Sequence, residues 1–219
     1  MDELGIIRSE TLERLKRTEM FRRLQGTSLD RNTYAGYLVN VYHYARHSPH
    51  VISLAGSRAV QSNPRLAAYL MRHATEEIGH ERWAHSDLLR LGLTEDQIRA
   101  SRPGTYCTSM IGMEYFVAGH WNPLALFGWL FVLEALGDDV GHFVAGRLDS
   151  SLRLDSSATY FLRAHGTADH DHIRDIVEAI QEHMKDPNDI ADMLHIAKVS
   201  GDLYLGILDE VVEEGRAWV

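Results

Sequence analysis

The densest group of metal-binding residue types in this chain is the run His165-Gly-Thr-Ala-Asp169-His-Asp-His172. His165, Asp169 and His172 are spaced by four and then three positions, so an α-helix would place their side chains on one face. Two imidazoles and a carboxylate that converge from one face can bind a transition metal. The run therefore predicts half of a metal site, which residues from other helices must complete.

Two further clusters could complete this site. Glu77 and His80 interrupt an otherwise apolar stripe at helical spacing, and Glu134 follows an intensely apolar run. A buried charge is costly unless it has a partner or a metal, so these residues need a reason to lie there. Together with the first run they supply three carboxylates and three imidazoles without a thiolate. Such a set suits iron or manganese and is poorly suited to a structural zinc.

We predict that two metals divide these six residues and keep open positions for dioxygen and substrate. The predicted ligands of one metal are Glu77, His80 and His165, and those of the other are Glu134, Asp169 and His172. Which carboxylates bridge the metals stays open at this point. The residues predicted to support the ligands through hydrogen bonds are Asp138, His142 and His73.

Long helices are the elements that must position these residues. Apolar periodicity predicts helices at about 8–25, 30–48, 50–61, 64–91, 95–101, 105–119, 123–148, 156–184 and 188–215. Asn63 and Asn122 each precede a proline and are predicted N-caps. Strand and hairpin signals are weak. The predicted fold is therefore all-α, a single domain over residues 1–219 with the dinuclear metal site at its centre.

Composition excludes several classes of partner and location. The net charge of -9, with lysine only at positions 16, 185 and 198, argues against a nucleic-acid or anionic-membrane surface. The most apolar segment, 124–136, is about half a membrane span in length and contains Glu134. Cys107 is the only cysteine, so no internal disulfide can form. An acidic N-terminus does not fit a signal peptide, and we expect a cytoplasmic protein.

The run Glu76-Glu77-Ile-Gly-His80-Glu-Arg-Trp83, followed by Asp87-Leu88 and Leu91-Gly92, resembles the signature of the haem-oxygenase-like diiron oxidases and oxygenases. The resemblance covers roughly residues 30–185 and implies a haem-oxygenase-like helical bundle. It also implies that two irons are bound by residues that match Glu77, His80, Glu134, His165, Asp169 and His172. Dioxygen would be the co-substrate, a small molecule the substrate and a homodimer the assembly, with an external electron donor as a possible partner.

Members of this family include N-oxygenases of amines, fatty-acid decarboxylases and a 4-aminobenzoate synthase branch that uses a lysine near its site. The absence of lysine between Lys16 and Lys185 argues against that last branch. We therefore predict an oxidase or oxygenase of a small organic acid or amine in a biosynthetic pathway. An alkyl chain would suit a pocket lined by Phe127, Phe131, Trp129 or Met110, and a substrate carboxylate could be bound by Arg46, Arg58 or Arg147.

Two alternative functions remain. A thiamin-degrading hydrolase of the same fold would use Cys107 as its nucleophile, since a helix start favours a thiolate. A non-catalytic helical protein could instead retain a metal or haem site for binding. Uptake of iron and reaction with oxygen would separate the predicted oxygenase from both.

Overall fold

A central helix, α9, organises the computed structural model, which describes residues 2–26, 28–215 and 217–218, without the side chains of residues 2 and 168–170. Within these residues the chain forms only helices and connecting segments, with no strand. The α-helices are α1 (Asp2–Arg17), α2 (Glu19–Gln25), α3 (Arg31–Ala45), α4 (Ser48–Ala59), α5 (Pro64–Glu76), α6 (Glu81–Leu91), α7 (Glu95–Ala100), α8 (Thr105–His120), α9 (Leu126–Leu152), α10 (Tyr160–His183) and α11 (Pro187–Glu214). Two short 3-10 helices, Pro123–Ala125 and Ser156–Thr159, precede α9 and α10.

The predicted all-α fold is confirmed, and most helices begin and end within a few residues of their predicted positions. Asn63 caps α5, because its side chain accepts a hydrogen bond from the Leu66 backbone N–H at 3.2 Å, and Pro64 occupies the first turn. Asn122 caps the first 3-10 helix in the same way. The predicted N-caps therefore mark true starts of helices.

Two helices predicted to be continuous are each divided in two. The predicted helix 8–25 breaks at Thr18, whose side chain accepts a hydrogen bond from the Phe21 backbone N–H and so starts α2. The predicted helix 64–91 breaks at residues 77–80, where Gly79 has a φ of +97°. The second break places two predicted metal ligands, Glu77 and His80, in a turn between two helices.

Helix α9 packs along both α10 and α11. Gly141 permits the close contact with α10, because a Cβ atom there would lie 2.9 Å from the Leu162 carbonyl oxygen. Helix α6 is tied to the start of α10 by Asp87, whose carboxylate accepts a hydrogen bond from the Phe161 backbone N–H at 2.8 Å.

An apolar core runs through the bundle and includes fully buried side chains from α3, α4, α5, α9 and α10, among them Leu38, Ile52, Leu66, Phe127 and Ile176. Burial of such side chains is the main stabilising contribution to a fold of this size. Along the part of the chain that the structure describes, no helix is both long and apolar enough to cross a bilayer.

Candidate metal centre

Glu77 and His80 lie in the turn that joins α5 to α6, and not within one helix. Glu77 is the C-terminal cap of α5, and His80 is the residue before α6. The positive φ of Gly79 makes this turn possible, since side chains with a Cβ rarely adopt that conformation. As a result Glu77 and His80 are 7% and 8% exposed, while Ile78 between them is 66% exposed. The turn directs both polar side chains inward.

One cluster of metal-binding atoms consists of Glu77, His80 and His165, each of which offers an atom within 4.8 Å of the others. Nδ1 of His80 lies 3.1 Å from Oε1 of Glu77. Nδ1 of His165 lies 3.3 Å from the Phe161 carbonyl oxygen, one helical turn earlier. An N–H donated to that carbonyl would leave Nε2 of His165 as the free donor atom, which is how metal-binding histidines are commonly oriented.

A second cluster consists of His73, Glu77, Glu134 and His172, again with ligand atoms within 4.8 Å of one another. Oε1 of Glu134 lies 3.3 Å from Nε2 of His73, and Oε2 lies 3.2 Å from Nδ1 of His172. The rings of His73 and His172 meet edge to face at a centroid distance of 4.8 Å. Glu77 belongs to both clusters, so its carboxylate lies between two groups of potential metal-binding atoms.

The protonation states in this site are set by burial and by the mutual contacts of its residues. Burial alone would raise the pKa of Glu134, but the imidazoles of His172 and His73 lower it well below its ordinary value. Burial would also raise the pKa of Glu77, but the neighbouring His80 lowers it below its ordinary value. Burial lowers the pKa of His165. Ionised carboxylates beside a neutral imidazole are the forms that bind metals.

Unpaired buried nitrogens provide an independent test of whether these residues fit a metal. Nε2 of His73 and Nδ1 of His80 are buried and have no hydrogen-bond partner among the described residues, although each faces a carboxylate. Buried polar atoms are almost always satisfied, so such atoms need an explanation. A cation bound between the nitrogens and the carboxylates would satisfy them. The nitrogen and oxygen donor set fits iron or manganese.

The remaining predicted site residues lie in several different places. The side chain of Asp169 lies outside the described residues, although its backbone continues α10. Asp138 accepts a hydrogen bond from Arg8 at 2.8 Å, and Nε2 of His142 lies 3.2 Å from the Thr167 hydroxyl. The supporting roles predicted for Asp138 and His142 stay predictions. His73, which was also predicted to support the ligands, lies within the second cluster itself.

Aromatic side chains enclose the first cluster. The ring of Trp83 stacks on His80 at a centroid distance of 4.0 Å and meets His165 edge to face at 5.3 Å. The ring of Phe161 lies 4.2 Å from that of His165. These contacts pack aromatic rings against both imidazoles. The spacing of three residues between His80 and Trp83 could have indicated this contact.

Glu76 is a second residue whose position the sequence did not reveal. Its side chain is 45% exposed. Its Oε2 nevertheless lies 3.8 Å from Nδ1 of His73 and 3.7 Å from Nε2 of His172. The carboxylate of Glu76 therefore faces the outer nitrogens of both imidazoles at ion-pair distances.

A cavity of about 120 Å³ reaches both clusters. Glu77, Glu134 and His165 line it at the metal centre, and most of the remaining lining is aliphatic or aromatic. Of the four residues predicted to line a pocket, Trp129 does so. The other three, Phe127, Phe131 and Met110, are buried in the core but are not among the described lining residues.

The arginines predicted to hold a substrate carboxylate have other partners. Arg46 lies over the ring of Tyr42. Arg58 donates to the carbonyl oxygens of Ala118 and Trp121, and Arg147 donates to backbone carbonyls at the end of α2. None of the three is among the described residues that line the cavity. Arg58 and Arg147 thus join separate segments of the chain, and a contact of any of the three arginines with substrate stays a prediction.

Cys107 does not have the surroundings of a nucleophile. Its side chain is fully buried, and its thiol lies 3.4 Å from the Asn40 carbonyl oxygen. Burial raises its pKa to about 12, so almost no thiolate is present at neutral pH. Cys107 is also absent from the described lining of the cavity.

Comparisons with known proteins identify a family and a fold. A family described as iron-containing redox enzymes matches residues 35–204. None of the curated proteins matches the chain. A domain of unknown function with a heme oxygenase-like fold from Shewanella denitrificans OS217 is similar in structure, with a TM-score of 0.89 and 23% identity over 96% of this chain and 90% of that one.

Two other solved structures share the fold at lower identity. A TenA homologue from Pseudomonas syringae pv. tomato has a TM-score of 0.80 at 13% identity, covering 97% of this chain and 92% of that one. Heme oxygenase-1 from the cyanobacterium Synechocystis sp. PCC6803, solved in complex with heme, has a TM-score of 0.72 at 9% identity, covering 98% and 96%. The haem-oxygenase-like fold predicted from the sequence is thereby confirmed.

Proposed function

Because the chain belongs to the family of iron-containing redox enzymes, we propose that it is a non-haem diiron oxidase or oxygenase that oxidises a small organic molecule with dioxygen. The observation that carries the proposal is the pair of adjacent clusters that share Glu77. Two metal ions need neighbouring donor sets and a group between them, and these clusters offer both.

One iron would be bound by Glu77, His80 and His165, and the other by Glu134 and His172 with Glu77 between them. Asp169 is the further ligand predicted for the second iron from the sequence. His73 offers a donor atom that the sequence prediction did not count as a ligand. Bound Fe(II) ions would supply the electrons that dioxygen needs in order to react.

The protein groups around the clusters prepare them for this chemistry. The Phe161 carbonyl and the Trp83 ring fix the orientation of His165, and Glu76 faces the outer nitrogens of His73 and His172. Burial of Glu77 and Glu134 keeps water from competing for the donor atoms, while their lowered pKa values keep both carboxylates ionised at neutral pH.

The size of the cavity supports a non-haem site. A drug-sized ligand generally occupies a pocket of about 300–1,000 Å³, and a porphyrin is larger than most such ligands. The cavity beside the clusters measures about 120 Å³. Haem binding would therefore require the helices around α9 to separate. The raised pKa of the buried Cys107 thiol argues against a thiamin-degrading hydrolase that uses it as nucleophile.

Oxygen uptake by protein loaded anaerobically with Fe(II) tests the proposal. We expect the wild-type protein to consume oxygen and to develop a transient visible absorbance, and the Glu134→Gln variant to lose both. Glu114→Gln is the matched control, because Glu114 is also fully buried but lies outside both clusters, and burial raises its pKa well above the ordinary value. Equal oxygen consumption by Glu134→Gln and wild type would contradict the proposal.

A further inference from the structure

The first cluster is enclosed by protein, so a charged molecule in solution does not reach its donor atoms directly. Glu77 and His80 are both buried. The cavity that reaches the cluster has mainly aliphatic and aromatic walls, with no lysine or arginine among its described lining residues. An anionic reductant inside it would be buried without a partner, which is costly. Electrons from solution must therefore reach this cluster through protein side chains.

The ring of Trp83 connects the first cluster to an exposed tyrosine. Its indole ring stacks on the imidazole of His80 at a centroid distance of 4.0 Å and meets that of His165 at 5.3 Å. It also meets the phenol ring of Tyr160 edge to face, at a centroid distance of 5.8 Å. Tyr160 is 48% exposed. Two consecutive ring contacts thus lead from a predicted iron ligand to the protein surface.

The other aromatic rings at the clusters do not lead to the surface. The ring of Phe161 contacts the first cluster at a centroid distance of 4.2 Å, but Phe161 is buried and its phenyl ring is difficult to oxidise. Tyr69 stacks on His73 at 5.8 Å, and it is buried against Phe127. Among the described ring contacts, only the path through Trp83 ends at an exposed aromatic side chain.

The types of the two residues suit the transfer of single electrons. Indole and phenol rings lose one electron more readily than a phenyl or imidazole ring does. A phenol that loses an electron also releases its proton, and the half-exposed Tyr160 can pass this proton to water. Trp83, which lies deeper, can lose an electron without losing a proton. The order from the cluster to the surface is therefore the one that such a transfer requires.

We propose that Tyr160 and Trp83 carry single electrons to the metal centre from a small, water-soluble one-electron reductant, for which the enediol ascorbate is the probe. This inference rests on the proposed function and identifies where electrons enter the same site. Trp83 gives one electron to Fe(III), which becomes Fe(II). Tyr160 then reduces Trp83 and releases its phenolic proton to water. The reductant loses one electron to Tyr160, which takes up a proton again.

Two conservative variants interrupt this path and keep a ring at each position. Trp83→Phe retains an aromatic ring beside His80, and Tyr160→Phe removes only a hydroxyl group. Neither phenyl ring is readily oxidised. Trp83→Tyr restores an oxidisable ring at the first position, so it should recover electron transfer that Trp83→Phe loses.

Each variant has a matched control. Tyr106→Phe is the control for Tyr160→Phe, because Tyr106 is 45% exposed and its ring lies against Gly206. Trp121→Phe is the control for Trp83→Phe, because Trp121 is also partly exposed and stacks on Phe116. Neither control residue has a described ring contact with a histidine of the clusters.

The first measurement needs no iron. A photoexcited ruthenium complex oxidises the metal-free protein by one electron, and transient absorbance distinguishes tryptophan radicals from tyrosyl radicals. In the wild type, tryptophan radical should convert to tyrosyl radical as Tyr160 reduces Trp83. Relative to both controls, we expect this conversion to be about tenfold or more slower in Tyr160→Phe and in Trp83→Phe. Equal conversion in Tyr160→Phe and Tyr106→Phe would overturn the path.

The second measurement follows the loss of ferric absorbance after ascorbate is mixed, without oxygen, with the Fe(III)-loaded protein. Reduction should be about tenfold or more slower in Trp83→Phe and Tyr160→Phe, a barrier higher by roughly 1.4 kcal/mol or more, and unchanged in both controls. Tyr160 has no described ring contact with a cluster histidine, so its effect cannot arise from altered ligand packing. Equal rates in Tyr160→Phe and wild type would mean that electrons enter elsewhere, for example at the partly exposed His172, and would overturn the proposal.

The outcomes separate this inference from the proposed function. A protein that takes up iron but is reduced at the same rate in every variant keeps the diiron centre and loses the electron path. A protein that takes up no iron but shows conversion dependent on Tyr160 supports the path between the two rings and rejects the diiron centre. Melting temperatures and iron content identify a variant that fails to fold. If Trp83→Phe fails, Tyr160→Phe and its control decide.

Discussion

Glu134 and His172 lie on different helices and 38 positions apart in the chain, yet Oε2 of Glu134 is 3.2 Å from Nδ1 of His172. The other oxygen of the same carboxylate faces His73 on α5 at 3.3 Å. One buried carboxylate thus joins three helices at a single point. Because both imidazoles lower the pKa of Glu134, the carboxylate is charged where an unpaired charge would be costly.

Replacement of His73 should weaken binding at the second cluster. His73→Phe removes the buried Nε2 that faces Glu134, and loss of a group that binds or orients a metal typically lowers affinity about 10–100-fold. Competition between Fe(II) and a coloured chelator measures the change. His43→Phe is the control, because His43 contacts Ser101 away from both clusters. If His73→Phe binds Fe(II) as tightly as the wild type, His73 has only a structural role.

Substitution of Gly79 should strain the turn that carries Glu77 and His80. A Cβ at Gly79 would contact only Arg82, at 4.0 Å, so the cost arises from the φ of +97° and not from a clash. We expect Gly79→Ala to reduce the free energy of unfolding by about 1–2 kcal/mol in urea denaturation.

Gly112→Ala should change the free energy of unfolding in the opposite direction and serves as the comparison. Gly112 lies within α8, and a Cβ atom there would meet nothing within 4 Å. Alanine is the better helix former, so this variant should gain about 0.5–1 kcal/mol. If Gly79→Ala is as stable as the wild type, the turn does not need glycine.

The stability of the protein should fall as Asp87 ionises. Burial raises the pKa of Asp87 from 3.8 to about 6, against the effect of its backbone hydrogen bonds from Phe161 and Tyr160. The folded state therefore holds the proton more tightly than the unfolded state. The resulting stability is fully present below 3.8 and is lost as the pH rises through about 6.

Asp87→Asn isolates this contribution because it cannot ionise. Relative to the wild type, the variant should be more stable at about pH 7 than at about pH 4, as measured by melting temperature at both values. A difference that is the same at both pH values would mean that Asp87 does not titrate in this range.

Removal of the only cysteine should leave oxygen chemistry intact. Cys107→Ala deletes a buried thiol whose pKa of about 12 keeps it protonated. Oxygen uptake per bound iron should equal that of the wild type, with a loss of stability of about 1 kcal/mol. A folded Cys107→Ala protein that binds iron but consumes no oxygen would reveal a role for the thiol that its position does not suggest.

The sequence was sufficient for the helices and for most of the residues that meet at the centre, since both follow from local periodicity. Glu77, His80, Glu134, His165 and His172 all lie in the two clusters, and each had been singled out as a polar residue on an apolar stripe. The break at Gly79 was missed because residues on both sides of it suit a continuous helix, and only the backbone of the folded protein reveals the left-handed residue.

Other features of the site depend on distances between helices, and the periodicity of the sequence does not predict these distances. Whether His73 supports a ligand or lies among the ligands is decided by where α9 and α10 pass α5. The sharing of Glu77 between clusters has the same origin. Arg58 was offered as a substrate contact, but its partners, the carbonyl groups of Ala118 and Trp121, are 60 and 63 positions away in the chain.

The number of irons bound per chain tests the central claim most directly. Anaerobic titration with Fe(II), followed by removal of loosely bound metal and Mössbauer spectroscopy of the iron-57 protein, counts the ions and their environments. Two neighbouring clusters that share Glu77 predict two Fe(II) ions per chain in distinct sites, which couple magnetically once oxidised. A protein that retains no iron, or a single uncoupled ion at saturation, would contradict the diiron centre.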